Sequence, residues 1–261
     1  MGAFPKPKLT IVSGFIALGN GGTKTLQEYL SYGQNLMTVK IPKVIFIDVK
    51  IFEQVINPLP EYNVLIPFKF EEMYYHKYLD QLKQNVVLNS TNPQKDTVEY
   101  FMIQCYKTEW VRCAIELNLF NTEQFMWIDF GIYHVFKKPD MKPEENVEMF
   151  HSLIYRNQYY ETSLVRIPYV CQCYIDEYDP YKVCCWYFAG GVFGGHKNAL
   201  IKFADLTKAK CLQIITERHW LMWEINIWAF VYKENRKFFE LYFGNHDYTI
   251  FANYQVEPLP N

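Results

Sequence analysis

The chain has 261 residues, half of them hydrophobic, and Phe, Tyr and Trp together make up 18% of it. This length suits one large α/β domain or two small ones and is ample for a sizeable core. The formal net charge of −2 provides no global electrostatic footprint for nucleic acid or an acidic membrane, so no nucleic-acid partner is expected.

The first third of the chain alternates between strand and helix signals. A Gly-rich loop, LGNGG, follows the first apolar run. Its backbone N–H groups could approach phosphates, although an ordinary turn explains the glycines at least as well. The predicted order, β-α-β-β-α, is typical of a nucleotide-binding α/β half with parallel strands. Its elements are strand 9–15, a helix capped by Thr23, strand 43–48, strand 62–68 and a helix over 71–83.

The clearest helix signal in the chain begins at residue 96. Asp96 or Thr97 can cap a helix with an apolar i, i+3, i+4, i+7 stripe, which ends at 117 or 118 and leads into the strand FMWID. The later predicted elements are an amphipathic helix around 147–154, strands within 164–175 and 182–195, helices over 196–211 and 217–232, and a tail of strand and loop. No repeat or linker interrupts the chain, so one domain is expected over 1–261, with a mixed, mostly parallel central sheet flanked by helices.

Asp129 ends the strand FMWID, and Gly131 follows two residues later. Ligands of open α/β sheets bind at the carboxyl ends of the strands. A single carboxylate there suits a ribose hydroxyl or a divalent cation, and the alternative is an aspartate that caps a turn. Asp129 is therefore a candidate ligand-binding residue.

Glu224 lies in a helix that is apolar on nearly every face, WLMWEINIWAFV. A helix of this kind is buried, and a carboxylate within it must be paired or must have a raised pKa. Either state suits a general base or a substrate anchor. The alternative is a structural ion pair with a lysine or arginine.

Two further segments combine glycine or histidine with a strand end. Gly190 and Gly191 lie in FAGGVFGG, where they would let the backbone approach a bulky polar ligand. His246 and Asp247 follow a strand in YFGNHDYT, and an imidazole beside a carboxylate is a plausible ligand pair for a cation near a diphosphate. The alternative for His246 is ordinary polar surface.

Taken in order, the segments TIVSGF, KTEWVRCAIELN, FMWIDFGIYH, FAGGVFGG, ERHWLMWEINIWA and YFGNHDY resemble the HtrL/YibB proteins, over roughly residues 8–254. That family is related to the GT-A glycosyltransferases. The resemblance implies a GT-A-like fold with a nucleotide-sugar site, in which Asp129 stands at the first position of an Asp-x-Asp motif. Gly131 replaces the second aspartate, so one usual metal ligand is missing.

The resemblance also implies roles for the other candidates. Either Asp129 and His246, with two phosphate oxygens, would hold Mn²⁺ or Mg²⁺ beside the donor diphosphate, or metal dependence would be weak. Gly131, Gly190 and Gly191 would lie against the donor. Glu224 would be the acidic catalytic residue, and in an inverting transfer it would be the base that accepts the proton of the acceptor hydroxyl. A retaining transfer needs no such base, and the sequence does not decide between the two.

Lysine or arginine can neutralise the charge that develops on a diphosphate leaving group. Lys107 lies about 180° around its helix from Val98, at ~100° per residue, so it faces away from the apolar stripe, towards the cleft or towards solvent. Arg218, expected at the start of the Glu224 helix, is a second candidate for donor binding.

The resulting hypothesis is a glycosyltransferase that moves a sugar from a nucleotide-sugar donor to a glycan or other hydroxyl acceptor. Two alternatives stay open. One is a nucleotide-sugar-binding protein without catalysis, which the missing second aspartate permits. The other is a nucleotidyltransferase, which would share the nucleotide-binding half of the sheet.

The seven cysteines indicate the compartment. Their odd number, and a Cys-Cys pair within an apolar run, favour reduced thiols without disulfides in a cytosol-like environment. There is no CxxC pair, no signal-peptide pattern and no apolar run of membrane-spanning length. A soluble, cytoplasmic protein with no membrane span is expected.

Overall fold

The computed structural model of the protein describes residues 7–18, 24–84, 95–138, 140–170, 175–177, 179–182, 184 and 186–256. The glycines of the first loop, Thr23, Cys171, Cys173 and Cys185 lie outside these residues, so the phosphate-binding role considered for that loop stays a prediction. Within the described residues Cys105, Cys113, Cys184 and Cys211 are free thiols.

In the described part of the chain, seven strands form one mixed sheet in the order β3-β2-β1-β4-β6-β5-β7. The strands are β1 (Leu9–Phe15), β2 (Lys43–Asp48), β3 (Asn63–Phe68), β4 (Gln124–Ile128), β5 (Val165–Tyr169), β6 (Val192–His196) and β7 (Phe239–Phe243).

Among these strands β6 alone runs antiparallel to its neighbours, β4 and β5, and the remaining pairs are parallel. The carboxyl ends of the other six strands therefore share one edge of the sheet with the beginning of β6. The expected α/β fold, a mostly parallel sheet flanked by helices, is confirmed.

The helices are α1 (Leu26–Met37), α2 (Leu79–Lys83), α3 (Val98–Leu117), α4 (Pro143–Asn157), α5 (Lys197–Arg218), α6 (Glu224–Glu234) and α7 (Thr249–Ala252). Local chemistry sets the ends of the best predicted ones. Thr25 and Glu28 form a capping box at the start of α1, and Thr97 caps α3. None of the described helices is long and apolar enough to cross a membrane.

Two predicted helices were wrong in extent. Over 71–83 the chain forms two short 3₁₀ turns and then the five-residue α2, because no side chain caps any of these turns and Tyr74 and Tyr75 are weak helix formers. The helix expected over 217–232 begins at Glu224 instead. His219 takes a left-handed backbone conformation (φ 54°) that ends α5, so Arg218 closes α5 and does not open the Glu224 helix.

The two strands expected in 164–175 and 182–195 include residues 171–174, 183 and 185, which lie outside the described residues. Of the described residues in these ranges, those of β5 and β6 form regular strands, and one isolated antiparallel bridge joins Tyr169 to Phe188 before β6. The predicted strand continues across Gly190 and Gly191, but there the backbone turns before β6 begins. Glycine favours that departure from a regular ladder.

Stacked aromatic rings join α3 to the middle of the sheet. The rings of Trp110 and Trp127 lie 5.8 Å apart with an angle of 5° between their planes, and Phe193 stacks on the other side of Trp127. Both tryptophans are buried. This packing holds α3 against β4, and Lys107 of the same helix reaches Asp129 at the end of that strand.

Gly33 lets α1 pack directly on Phe130, the residue after Asp129. A Cβ atom built on Gly33 would lie 2.0 Å from the Phe130 ring, which is almost fully buried. A side chain at this position would therefore displace the segment that carries Asp129.

We expect Gly33→Ala to lower the free energy of unfolding by roughly 1–3 kcal/mol, the usual cost of overpacking a core. In an open helical position the same change would stabilise the protein, because alanine has the higher helix propensity. Ser31→Ala, an exposed position in the same helix, is the control and should be neutral or slightly stabilising. Chemical denaturation measures both, and equal effects of the two variants would contradict the packing.

Candidate functional site

A cleft of about 740 Å³ opens at the sheet edge where β1 and β4 end. Residues from the end of β1, the start of α1, α3 and the segment after β4 form its walls. Its chemically notable residues are three lysines, one carboxylate and one imidazole: Lys24, Lys95, Lys107, Asp129 and His134. This is the position in an open α/β sheet where ligands bind.

Lys107 is at the centre of a buried polar cluster. Its ammonium Nζ lies 3.0 Å from Asp129 Oδ1 and 2.8 Å from Glu224 Oε1. It also donates to the carbonyl oxygen of Gly190 at 3.0 Å. The structure thus brings together four of the residues predicted from the sequence, and Lys107 faces the cleft rather than open solvent.

The three charged side chains of this cluster differ in their exposure to solvent. The side chains of Lys107 and Glu224 are 3% and 2% exposed, whereas that of Asp129 is 34% exposed. Burial alone would lower the pKa of Lys107, but the negative charges of Asp129 and Glu224 outweigh it and raise the pKa. The lysine is therefore held as a cation with one carboxylate behind it and one in front.

Both carboxylate oxygens of Asp129 accept hydrogen bonds from the protein. The indole Nε1 of Trp127 donates to Oδ1 at 2.7 Å, and Lys107 lies within 3.2 Å of Oδ2. Its backbone N–H donates to Gly191 at 2.9 Å. The carboxylate is consequently fixed in position, although a third of it remains open to the cleft.

Glu224 is the first residue of α6 and does not line this cleft. Its Oε1 bonds to Lys107, and its buried Oε2 has no hydrogen-bond partner among the described residues. Glu224 therefore contacts the cleft through Lys107.

The two glycines before β6 make room for protein groups. A Cβ atom on Gly190 would lie 2.2 Å from Glu224 Oε1, and one on Gly191 would lie 2.7 Å from Ile132. Their small size lets the chain pass beside the buried carboxylate. The contact with a donor that the resemblance implies for these glycines stays a prediction.

The remaining predicted residues are spread around the site. Gly131 lines the cleft beside Tyr29. Arg218 places its guanidinium 4.0 Å from the centre of the Tyr181 ring, and His246 packs edge-on against Trp186. Neither Arg218 nor His246 belongs to the walls of the cleft around Asp129.

Asp129 and His246, which were expected to share a metal ion, do not belong to a cluster of metal-binding side chains in the described part of the chain. No group of three or more His, Cys, Asp or Glu side chains within the described ranges is placed to hold a metal ion. Both oxygens of Asp129 already accept hydrogen bonds from Trp127 and Lys107. These protein groups do not by themselves fit a metal centre, and dependence on Mn²⁺ or Mg²⁺ stays a prediction.

Sequence reasoning missed three cleft residues. His134 lies five positions after Asp129, in the same segment, and its Nδ1 donates to the Gly131 carbonyl at 2.7 Å, which leaves Nε2 as an acceptor. Lys24 and Lys95 precede the caps of α1 and α3. A lysine just before a helix is common on any surface, so the sequence carried no specific signal for either one.

Most residues of this site lie in the part of the chain that matches a known protein family. The family described as "Bacterial protein of unknown function (HtrL_YibB)" matches residues 68–254. The matched region contains Lys107, Asp129, Gly190 and Glu224, but not β1 or α1. No curated protein matches the chain.

We expect Lys107→Met to lower the free energy of unfolding by roughly 3–5 kcal/mol, because it leaves Glu224 buried without a cation. Glu224→Gln should cost less, since Lys107 keeps Asp129 as a partner, and the double variant should recover part of the loss. Lys197→Met breaks an exposed ion pair with Glu123 and is the control, with an expected cost below about 1 kcal/mol. A Lys107→Met cost as small as that of the control would contradict the cluster.

Stability should also report the partly desolvated imidazoles of His134, His151 and His246. Desolvation lowers their pKa values below 6.5, and for His134 the charges of Lys24 and Lys95 add to this effect. As pH falls through 6.5 the unfolded chain binds protons that the native state does not, so stability falls. Because His134 and His246 are exposed and His151 is half-buried, the slope for each is well below the ~1.4 kcal/mol per pH unit of a fully buried group. His134→Gln should make this slope smaller below pH 6.5, and an unchanged slope would contradict a lowered pKa of His134.

Proposed function

The chain belongs to the HtrL_YibB family, and we propose that it is a glycosyltransferase that moves a sugar from a nucleotide-sugar donor to an acceptor hydroxyl. The observation that carries this proposal is the placement of Asp129. It ends a central strand of a mostly parallel sheet, is held by Lys107 and Trp127, and faces the cleft at the edge where ligands of such folds bind.

The shape and walls of the cleft are consistent with a nucleotide sugar. A volume of about 740 Å³ falls within the range of small-molecule sites, which is ~300–1,000 Å³. The rings of Phe15 and Tyr29 lie 5.2 Å apart along one wall, where a planar base could stack on either ring. Aromatic and cationic groups in one cleft suit a ligand that joins a base to a phosphate.

We assign the proton-accepting role to Asp129, since it is the carboxylate that reaches the cleft. In an inverting transfer, the acceptor oxygen forms a bond to the anomeric carbon as the bond from that carbon to the diphosphate breaks. The hydroxyl proton passes to the carboxylate, and the diphosphate leaves. Glu224, which the sequence proposed as this base, would act by holding Lys107 and thereby Asp129.

One observation favours a second candidate, a nucleotide-sugar-binding protein without catalysis. Lys107 and Trp127 both donate to Asp129, and a base must have a lone pair free for the incoming proton. A carboxylate has about four acceptor positions, and these donors occupy part of the capacity that a base needs. Turnover separates the two candidates.

We expect at least one sugar nucleotide to raise the melting temperature in a thermal-shift panel run with and without manganese, because binding to the native state stabilises it. Incubation with that compound should release free nucleoside diphosphate. Asp129→Asn should slow the release by ~10²–10⁴-fold, the usual cost of losing a positioned base. Asp140→Asn, at an exposed position, is the matched control and should retain full activity.

Binding without any release of nucleoside diphosphate, in the presence of a range of sugar acceptors, would support the non-catalytic candidate. The absence of a thermal shift with every sugar nucleotide would contradict both. The cytoplasmic location expected from the cysteines stays a prediction.

A further inference from the structure

Two lysines in the cleft lack counter-charges of their own. Neither Lys24 nor Lys95 forms an ion pair with any residue in the part of the chain that the structure describes. Glu28 is the acidic neighbour of Lys24, but its carboxylate accepts from the backbone N–H of Thr25 at 2.7 Å. Lys95 rests on aromatic rings, with its ammonium 5.0 Å from the centre of Tyr100 and 5.5 Å from that of Trp223.

The two ammonium groups act on each other and on the cluster behind them. Burial lowers the pKa of Lys24, and the charge of Lys95 lowers it further. Burial likewise lowers the pKa of Lys95, and Lys107 adds to this effect, while the charges of Asp129, Glu224 and Asp96 oppose it without reversing it. Two partly desolvated cations thus face the same cavity and repel each other, an arrangement that an anion between them would relieve.

The charges of the Lys107 cluster do not serve this purpose. Lys107 pairs with two carboxylates, Asp129 and Glu224, so the cluster is formally negative and has no surplus positive charge to offer a ligand. The surplus lies in front of it, on Lys24 and Lys95. The same cleft lacks a group of protein ligands for a divalent cation among the described residues.

We propose that Lys24 and Lys95 form an anion site that binds the diphosphate group of the ligand directly, in the role expected of a metal ion. The ligand class is an organic or inorganic diphosphate, whose two neighbouring phosphate groups match two separate ammonium groups. The site lies beside the aromatic wall of Phe15 and Tyr29. The identity of the diphosphate as part of a sugar donor rests on the proposed function, but the anion site itself does not.

Isothermal titration calorimetry in EDTA tests this site, with inorganic pyrophosphate and a set of nucleoside diphosphates as probes. We expect pyrophosphate to bind without metal and to bind more weakly as salt is raised. Lys24→Met and Lys95→Met should each weaken binding by about tenfold or more, the contribution of one charge-assisted hydrogen bond. Tighter binding of a nucleoside diphosphate would assign the source of the anion to a nucleotide, and equal affinities would assign it to the phosphates alone.

Lys237→Met is the matched control. Lys237 is exposed and precedes β7, at the sheet edge opposite the cleft, so its removal should leave affinity unchanged. The melting temperatures of Lys24→Met and Lys95→Met without ligand should equal or exceed that of the unmodified protein, because each removes a repelling cation. A structural role for either lysine would instead lower the melting temperature.

Three results would overturn the anion site. These are no binding of any diphosphate in EDTA, binding that requires added manganese and is unaffected by the two lysine variants, or an equal loss of affinity in Lys237→Met. The anion site and the glycosyltransferase activity can be tested independently. Pyrophosphate binding that depends on the two lysines, without sugar transfer, would support the anion site and contradict the enzymatic activity. Sugar transfer at an unchanged rate in both lysine variants would support the enzymatic activity and contradict the anion site.

Discussion

The ammonium group of Lys107 is the point on which the architecture of the site depends. It joins α3, the end of β4, the turn before β6 and the start of α6 through bonds to Asp129, Gly190 and Glu224. A buried cation between two carboxylates is a weak way to stabilise a fold, because apolar side chains of similar volume would often do as well. Its value here is positional, since it fixes one carboxylate at a defined place in a cleft.

The charged groups around Asp129 form two sets with different surroundings. Behind Asp129 the charges are balanced and almost completely buried, whereas the cleft in front contains Lys24 and Lys95 without ion-pair partners among the described residues. Packing fixes the walls of this cleft. Trp110 of α3 stacks on Trp127 of β4, and Gly33 lets α1 close on Phe130. An anionic ligand would therefore meet a cationic cleft and a fixed carboxylate in one place.

The sequence predicted the elements whose signals are local. The apolar runs of β1, β2 and β4 and the capped stripe of α3 were recognisable because a few neighbouring residues determine them. Asp48 shows the limit of predictions that use only the local sequence. It closes a parallel strand as Asp129 does, yet it is buried and accepts from the backbone N–H groups of Ala17 and Lys50, as a turn cap does. Two identical signals had different outcomes, and only the tertiary structure separates them.

The rest of the site could not be predicted because its partners are distant in sequence. Lys107 and Glu224 are 117 positions apart, and Lys24 and Lys95 reach the same cleft from the segments that precede two different helices. The start of α6 was misplaced because the left-handed residue His219 ends α5, and the first four residues of the apolar run that follows it are not helical. His246 was assigned by resemblance, and its packing against Trp186 depends on how the end of β7 meets the turn before β6.

The central claim is that the cleft in front of Asp129 binds a phosphate-containing nucleotide ligand. A crystal structure of the protein with the nucleoside diphosphate that stabilises it most would test this claim directly. The account predicts the base against Phe15 or Tyr29, the phosphates between Lys24 and Lys95, and the terminal phosphate directed towards Asp129. A ligand bound elsewhere on the protein, or phosphates that contact neither lysine, would contradict it.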